Sequence, residues 1–278
     1  MKPLLLHHPS SSIILSFFCF TLLMISIINI PTCMCDDGDQ YTNCNTPFNC
    51  GGRNISNKLM YPFWGEHRED CGFSDDPNMK LTCEKDVPKI TINSVKYRII
   101  DWDNTTRQLK VARDDYWSGI CAVSVSANNK FNSTFENTLF QHDGDVPSLN
   151  LLYNCNTDQP SMVYSANCGG TTVLYTLSIP GSLKCTPTVV VEFPIMGYQA
   201  AGIATVNAIN QALQGGFDLK WTGNYEVCRS CVTSGGACGN DGGTGFKCFC
   251  KDGPYRNECG LDKAPSSSMS FAFYATNC

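Results

Sequence analysis

Six cysteines crowd into one short stretch, Cys228-x2-Cys231-x6-Cys238-x9-Cys248-x-Cys250-x8-Cys259. Thiols at such spacing can hold zinc as thiolates, or they can oxidise to disulfides. The stretch contains no His, and the whole chain carries 18 Cys in 278 residues. That density belongs to an oxidising compartment, so disulfides are expected and a metal site is not. Six cysteines admit many pairings, and spacing alone selects none. Eight more (Cys44, Cys50, Cys71, Cys83, Cys121, Cys155, Cys168 and Cys185) extend the framework to fourteen, an even set. Catalytic chemistry has less to work with. Of four His, only His67 and His142 lie beyond the apolar N-terminus, and neither G-x-S-x-G nor H-E-x-x-H occurs. Paired carboxylates can serve a glycosidase, but spacing singles none out. The expectation is a protein without catalytic residues, cofactor or metal.

These cysteines need elements to position them. Lys2 is the only charged residue before Asp36, and Ile13 to Ile30 is a mostly apolar run of 18 residues with no charge. Residues 1–35 therefore read as a secretory signal, with an uncleaved membrane anchor as the alternative. Ile90 and Ile92 alternate with polar neighbours, as do Val95, Tyr97 and Ile99, and Leu109 and Val111. Period-two alternation predicts strands with one buried and one wet face. Asp103 to Thr106 is polar, which makes 95–113 a hairpin. Val189 to Phe193 reads as a further strand. Ala200, Ile203, Ala204, Ala208, Ile209, Ala212 and Leu213 suit one helix near 200–213, ended by Gly215-Gly216. Phe217, Leu219 and Trp221 alternate again as a strand. Three N-x-S/T sequons, at Asn54, Asn104 and Asn132, mark candidate glycosylation sites. The predicted class is a mainly β, disulfide-rich secreted ectodomain. It would have two β-rich modules, one helix and a small Cys-rich C-terminal segment.

The residues also carry a resemblance. Cys44-x5-Cys50-Gly51, Tyr61-Pro62-Phe63-Trp64-Gly65, Cys71-Gly72 and Leu81-x-Cys83 resemble the galacturonan-binding domain of plant wall-associated receptor kinases. Tyr97, Ile99, Leu109, Val111 and Cys121 fit the same pattern, and Leu152-Tyr153-Asn154-Cys155 is similar to the family's junction. Gly216-Phe217-x-Leu219-x-Trp221 and Cys228-x-x-Cys231-x-x-Ser234-Gly235-Gly236-x-Cys238-Gly239 resemble its C-terminal module. The nearest subgroup is the leaf-rust-resistance-like receptor kinases. The resemblance implies domains at 36–150 and 151–260, with an EGF-like segment at 228–259 and a flexible tail at 261–278. An EGF-like module implies cysteines paired first to third, second to fourth and fifth to sixth. The family implies an apoplastic or cell-wall ectodomain that binds pectin or oligogalacturonides, with a receptor kinase as a further partner. After Cys259 the chain reads GLDKAPSSSMSFAFYATNC. That ending suits a secreted form or a truncated receptor, with Cys278 left as an odd cysteine.

Polygalacturonate is acidic, and so is the chain, at a formal net charge of −5. That balance argues against nucleic acid as a partner. A binder of an acidic polymer needs local positive charge, and 80–113 supplies it with eight Lys or Arg against four Asp or Glu, a local +4. Lys96 and Arg98 share a predicted strand face, matched by Lys110 across the hairpin, with Arg107 and Arg113 nearby. Arg can grip a carboxylate with two parallel hydrogen bonds. Tyr61 and Trp64 offer rings to stack on sugar faces. Asp114-Asp115 or Asp36-Asp37-Gly38-Asp39 could share calcium with the polymer, but neither has EF-hand spacing. The rival expectation is a secreted co-receptor or defence protein that binds another protein and no glycan.

Overall fold

A computed structural model describes residues 37–51, 59–65, 68–73, 76–122, 132–144, 147–155, 161–183, 185–194, 203–243 and 245–261. In 37–39, 154 and 185–194 it describes the backbone alone. The expected signal segment 1–35, the Asn54 sequon, the start of the predicted helix and the expected tail beyond 261 lie outside these residues. The described residues fall in one compact unit that begins at Asp37.

The largest element is a six-stranded antiparallel sheet. Leu81–Glu84 (β1), Val87–Ile92 (β2), Val95–Asp103 (β3) and Gln108–Arg113 (β4) follow one another as hairpins. The first two turns are two-residue turns with positive φ at both positions, Lys85-Asp86 and Asn93-Ser94. That turn geometry matches the right-handed strand twist, so it sets a tight register. Phe140–His142 (β5) forms the far edge. Alternation buries Leu81, Ile90, Tyr97, Leu109 and Val111 on one face. Each such side chain contributes about 1.5–3 kcal/mol on burial. The alternation breaks once. A register shift between Ile99 and Asp101 leaves Ile100 exposed and turns Trp102 inward. A bulge of this kind resets which residues face the core.

A second, four-stranded sheet is built from Ser148–Cys155 (β6), Tyr164–Cys168 (β7), Thr171–Thr176 (β8) and Cys185–Pro194 (β9), in the order β7-β8-β6-β9. Leu149, Leu151, Tyr153 and Val173 form a core with the predicted helix, which runs over Val206–Gly215. Among the described residues, two further helices accompany it. Asp37–Asn45 is α1, so Val206–Gly215 is α2, and Tyr225–Thr233 is α3. The Thr205 hydroxyl caps α2 by accepting from the Ala208 N–H at 3.2 Å. Gly216 ends it at φ +65, and a Cβ there would sit 2.1 Å from the Val111 carbonyl oxygen. Glycine thus lets the chain pass directly into Phe217–Trp221 (β10), which inserts between β4 and β5. A strand from the later part of the chain completes the sheet of the earlier part.

The last sheet, Ala237–Asn240 (β11), Phe246–Cys250 (β12) and Gly253–Tyr255 (β13), has cystines for a core. Its bridges are Cys228–Cys238, Cys231–Cys248 and Cys250–Cys259, so they run first to third, second to fourth and fifth to sixth. Cys228 and Cys231 are three residues apart on α3, hence on one helical face. A Cβ on Gly236 would meet the Cys248 sulfur at 2.4 Å, which shows how closely the bridges stack. Upstream, Cys44–Cys71, Cys50–Cys83 and Cys121–Cys168 are bridged. Cys155 is also disulfide-bonded, and Cys185 is its backbone partner across β6 and β9. The Asn240 amide ties the small sheet to the Cys71 turn by donating to the carbonyls of Glu69 (2.8 Å) and Gly72 (3.2 Å).

Candidate functional site

The outward face of the large sheet gathers the expected cations, together with their neutralising acids. Register places Lys89 beside Arg98 and Lys96 beside Thr91. Lys89 is buried, and its ammonium donates to Glu84 at 2.7 Å and to Asp114 at 2.9 Å. Lys96 reaches the other oxygen of Glu84 at 2.6 Å. Arg98 pairs with Asp114 at 2.6 Å and lies over the Trp117 ring at 4.7 Å. The hydrogen bonds from Lys89 and then Lys96 hold the Glu84 carboxyl well below its ordinary range, at about 2. Burial works against the charge of Lys89, yet its two carboxylates outweigh that and raise its pKa. Lys110 stands between Asp101 on β3 and Asp218 on β10.

This corrects the sequence-based charge count. Asp114 and Asp115 lie just past residue 113 and fold back onto the same strands. Over 80–115 the balance is eight cations to six acids, or +2. The aspartates were visible in the sequence, but only as a calcium candidate. The pairing of Asp114 with Lys89 and Arg98 spans 25 and 16 residues and depends on strand register.

Two other candidate residues are buried. Arg113 is 3% exposed, forks onto Asp115 at 3.0 and 2.7 Å, and lies over Tyr116 at 5.4 Å. Trp64 is 7% exposed, with the Lys80 ammonium 5.0 Å above its ring. A Cβ on Gly72 would overlap the Trp64 ring at 2.1 Å, so the indole is fixed from that side too. Neither side chain is presented to a polymer lying on the surface.

Tyr61 lines a groove of about 290 Å³ elsewhere, and Arg107 stands just outside that lining. Tyr61 packs edge-on against Phe246 at 5.7 Å. Burial raises its hydroxyl pKa, partly offset by a hydrogen bond with the Asn224 side chain. The Arg107 guanidinium lies over the Tyr225 ring at 5.3 Å. The groove is walled by Tyr61-Pro62, the Asn104-Thr105 turn, Trp221 to Asn224 and one face of α3. That face carries Tyr225, Arg229 and Val232, which the sequence reading missed. Their spacing of four and three residues is helical, but the surrounding cysteines and glycines read as loop. The Asn104 sequon stands in the groove wall. The sulfurs of Cys248, Cys250 and Cys259 cluster within 4.8 Å, but all three are in disulfides and offer no thiolate to a metal.

Comparison with known proteins decides the family. The wall-associated receptor kinase galacturonan-binding family matches residues 44–113, and the wall-associated receptor kinase C-terminal family matches 154–253. The chain carries both wall-associated receptor kinase modules. Its relatives include three Arabidopsis thaliana proteins of the leaf rust 10 disease-resistance locus receptor-like protein kinase-like group. Protein 2.1 is 27% identical over 262 residues, covering 87% of this chain and 39% of the relative. Protein 2.8 is 31% identical over 248 residues, covering 81% and 26%. Protein 1.3 is 28% identical over 254 residues, covering 83% and 31%. The chain thus spans well under half the length of each. No solved structure matches it. Among the described residues, no helix is long and apolar enough to cross a membrane. The galacturonan-binding match runs through β1–β4 and carries the outward cations. The groove draws on both matches, with Tyr61 and Asn104 in the first and Trp221 and Tyr225 in the second.

Proposed function

We propose that this chain is a non-catalytic, receptor-like ectodomain of the plant cell wall that binds pectin through its polygalacturonic acid. The observation that carries this reading is that the galacturonan-binding match falls on the strands that expose Lys96, Arg98 and Lys110. The acids around them do not rule binding out. Lys96 and Glu84 are each roughly half exposed, and exposed pairs of this kind contribute only about 0–1 kcal/mol. A polymer with a carboxylate on every sugar can displace Glu84 from Lys96 and add to the pair at Arg98. Lys89, itself buried, stays with Glu84 and Asp114 and holds the strands in register. A secretory leader at 1–35, domains at 36–150 and 151–260, and glycans on Asn54, Asn104 and Asn132 complete the proposal. The protein would lie in the apoplast or wall, or stay anchored through its apolar N-terminus. A receptor kinase is the second expected partner.

Retention on immobilised polygalacturonate tests the reading. The protein should bind at low salt and elute as salt rises, because screening shortens charge interactions to about 8 Å at physiological ionic strength. The triple change K96E/R98E/K110E should abolish retention, whereas K247E/K251E should leave it nearly intact. Salt-insensitive passage of the wild-type chain contradicts the proposal. Release of reducing ends from polygalacturonate by the pure protein contradicts its non-catalytic part.

A further inference from the structure

The groove beside α3 has a composition that the sheet face lacks. Tyr61 and Tyr225 give it aromatic walls, with Trp221, 2% exposed, packed behind them. Short polar side chains of Thr105, Thr222 and Asn224 stand among them. Among the described residues, Arg229 is the one charged side chain in its lining, and none of them is an acid. Arg107 adds a second cation from outside, over the Tyr225 ring. Arg229 pairs with Glu226 on its own helix, and both are mostly exposed, so that pair is readily exchanged. Val232 projects at the edge, 56% exposed.

We propose that this groove is a binding site for a single sugar-acid ring, a hexuronate, distinct from the charged sheet face. Each part of the ligand finds its chemistry. The C–H face of a pyranose packs on aromatic rings, its hydroxyls hydrogen-bond to amide and hydroxyl side chains, and its carboxylate pairs with Arg. Size sets the limit. About 290 Å³ lies just below the roughly 300–1,000 Å³ in which proteins bury small ligands. The groove therefore takes one ring of an oligomer, while the sheet face takes the repeating charge. The identity of the sugar acid as galacturonate rests on the function proposed above.

The test compares galacturonate with galactose, which differ at the carboxylate, by calorimetry on the full chain. Val232 is exposed, so both V232E and V232K should fold. Wild type should bind galacturonate in preference to galactose. V232K should bind it at least as tightly, and V232E about tenfold more weakly, through like-charge repulsion at the rim. Retention of V232E on polygalacturonate should stay near wild type, because the sheet cations are intact. Equal affinity of V232E and V232K, equal affinity for the two sugars, or no galacturonate binding by a wild-type chain that still retains polymer overturns the groove site alone. Loss of polymer retention in the wild type as well means that the galacturonan reading has failed with it. T106A removes the Asn104 sequon without altering Asn104. Binding by T106A but not by the glycosylated wild type gives the groove to the chain's own glycan and overturns a free uronate ligand.

Discussion

The large sheet and the small C-terminal sheet solve the same problem in opposite ways. In β1–β4 and β10, alternating apolar residues fill one continuous core, and a single bulge corrects the phase. In β11–β13 the strands are short, and the buried centre consists mostly of cystine sulfur and Tyr255. Small units bury too little apolar surface to fold on it alone. Covalent links there replace the burial that the large sheet has in excess. The difference extends to function. The large sheet has a rigid outward face to spare for charge, whereas the small module contributes a helix, α3, to an apolar groove.

The contrast can be broken from either side. Leu109→Ala should have the largest effect. It empties a fully buried position in the middle of the large sheet and should cost about 2–5 kcal/mol. Denaturant unfolding measures that cost, and hydrogen exchange should show protection lost across β3, β4 and β10. Replacing Cys231 and Cys248 together by Ser should cost about 2–4 kcal/mol, with lost protection concentrated at 225–259. If both variants loosen the same residues equally, the two regions do not differ in the way described. Asn240→Ala tests the joint between them. It leaves the Glu69 and Gly72 carbonyls without their donor and should cost about 1–3 kcal/mol, with exchange rising on both sides.

The smallest effect is electrostatic. Glu84 is depressed from 4.5 to about 2 by Lys89 and Lys96. A carboxyl depressed by folding stabilises fully above its unfolded pKa and loses that stabilisation as pH falls through the folded one. The wild type should therefore lose stability between about pH 5 and pH 2. E84Q should be less stable at neutral pH and show a shallower decline over that window. An identical pH profile for the two contradicts the ion-pair assignment.

Different features were legible to different degrees. The strands at 89–113 and the hairpin at 95–113 were readable because alternation and turn residues are local signals. The bulge at Ile99–Asp101 was not, because it appears only once the partner strand sets the register. The bridges Cys228–Cys238, Cys231–Cys248 and Cys250–Cys259 follow the order that the EGF-like resemblance implies, which spacing alone could not select. Helix α3 was hidden because two of its nine residues are cysteines and its stability comes from their bridges more than from an apolar stripe. The groove was invisible for a deeper reason. Tyr61, Asn104 and Tyr225 come from three distant segments, and only the insertion of β10 between β4 and β5 brings them together.

Amide chemical shifts followed during titration with an oligogalacturonide test the central claim most directly. The account predicts that shifts at Lys96, Arg98 and Lys110 move first, lose amplitude as salt rises, and disappear in K96E/R98E/K110E. Shifts confined to the four-stranded sheet, or none at saturating oligomer, contradict it.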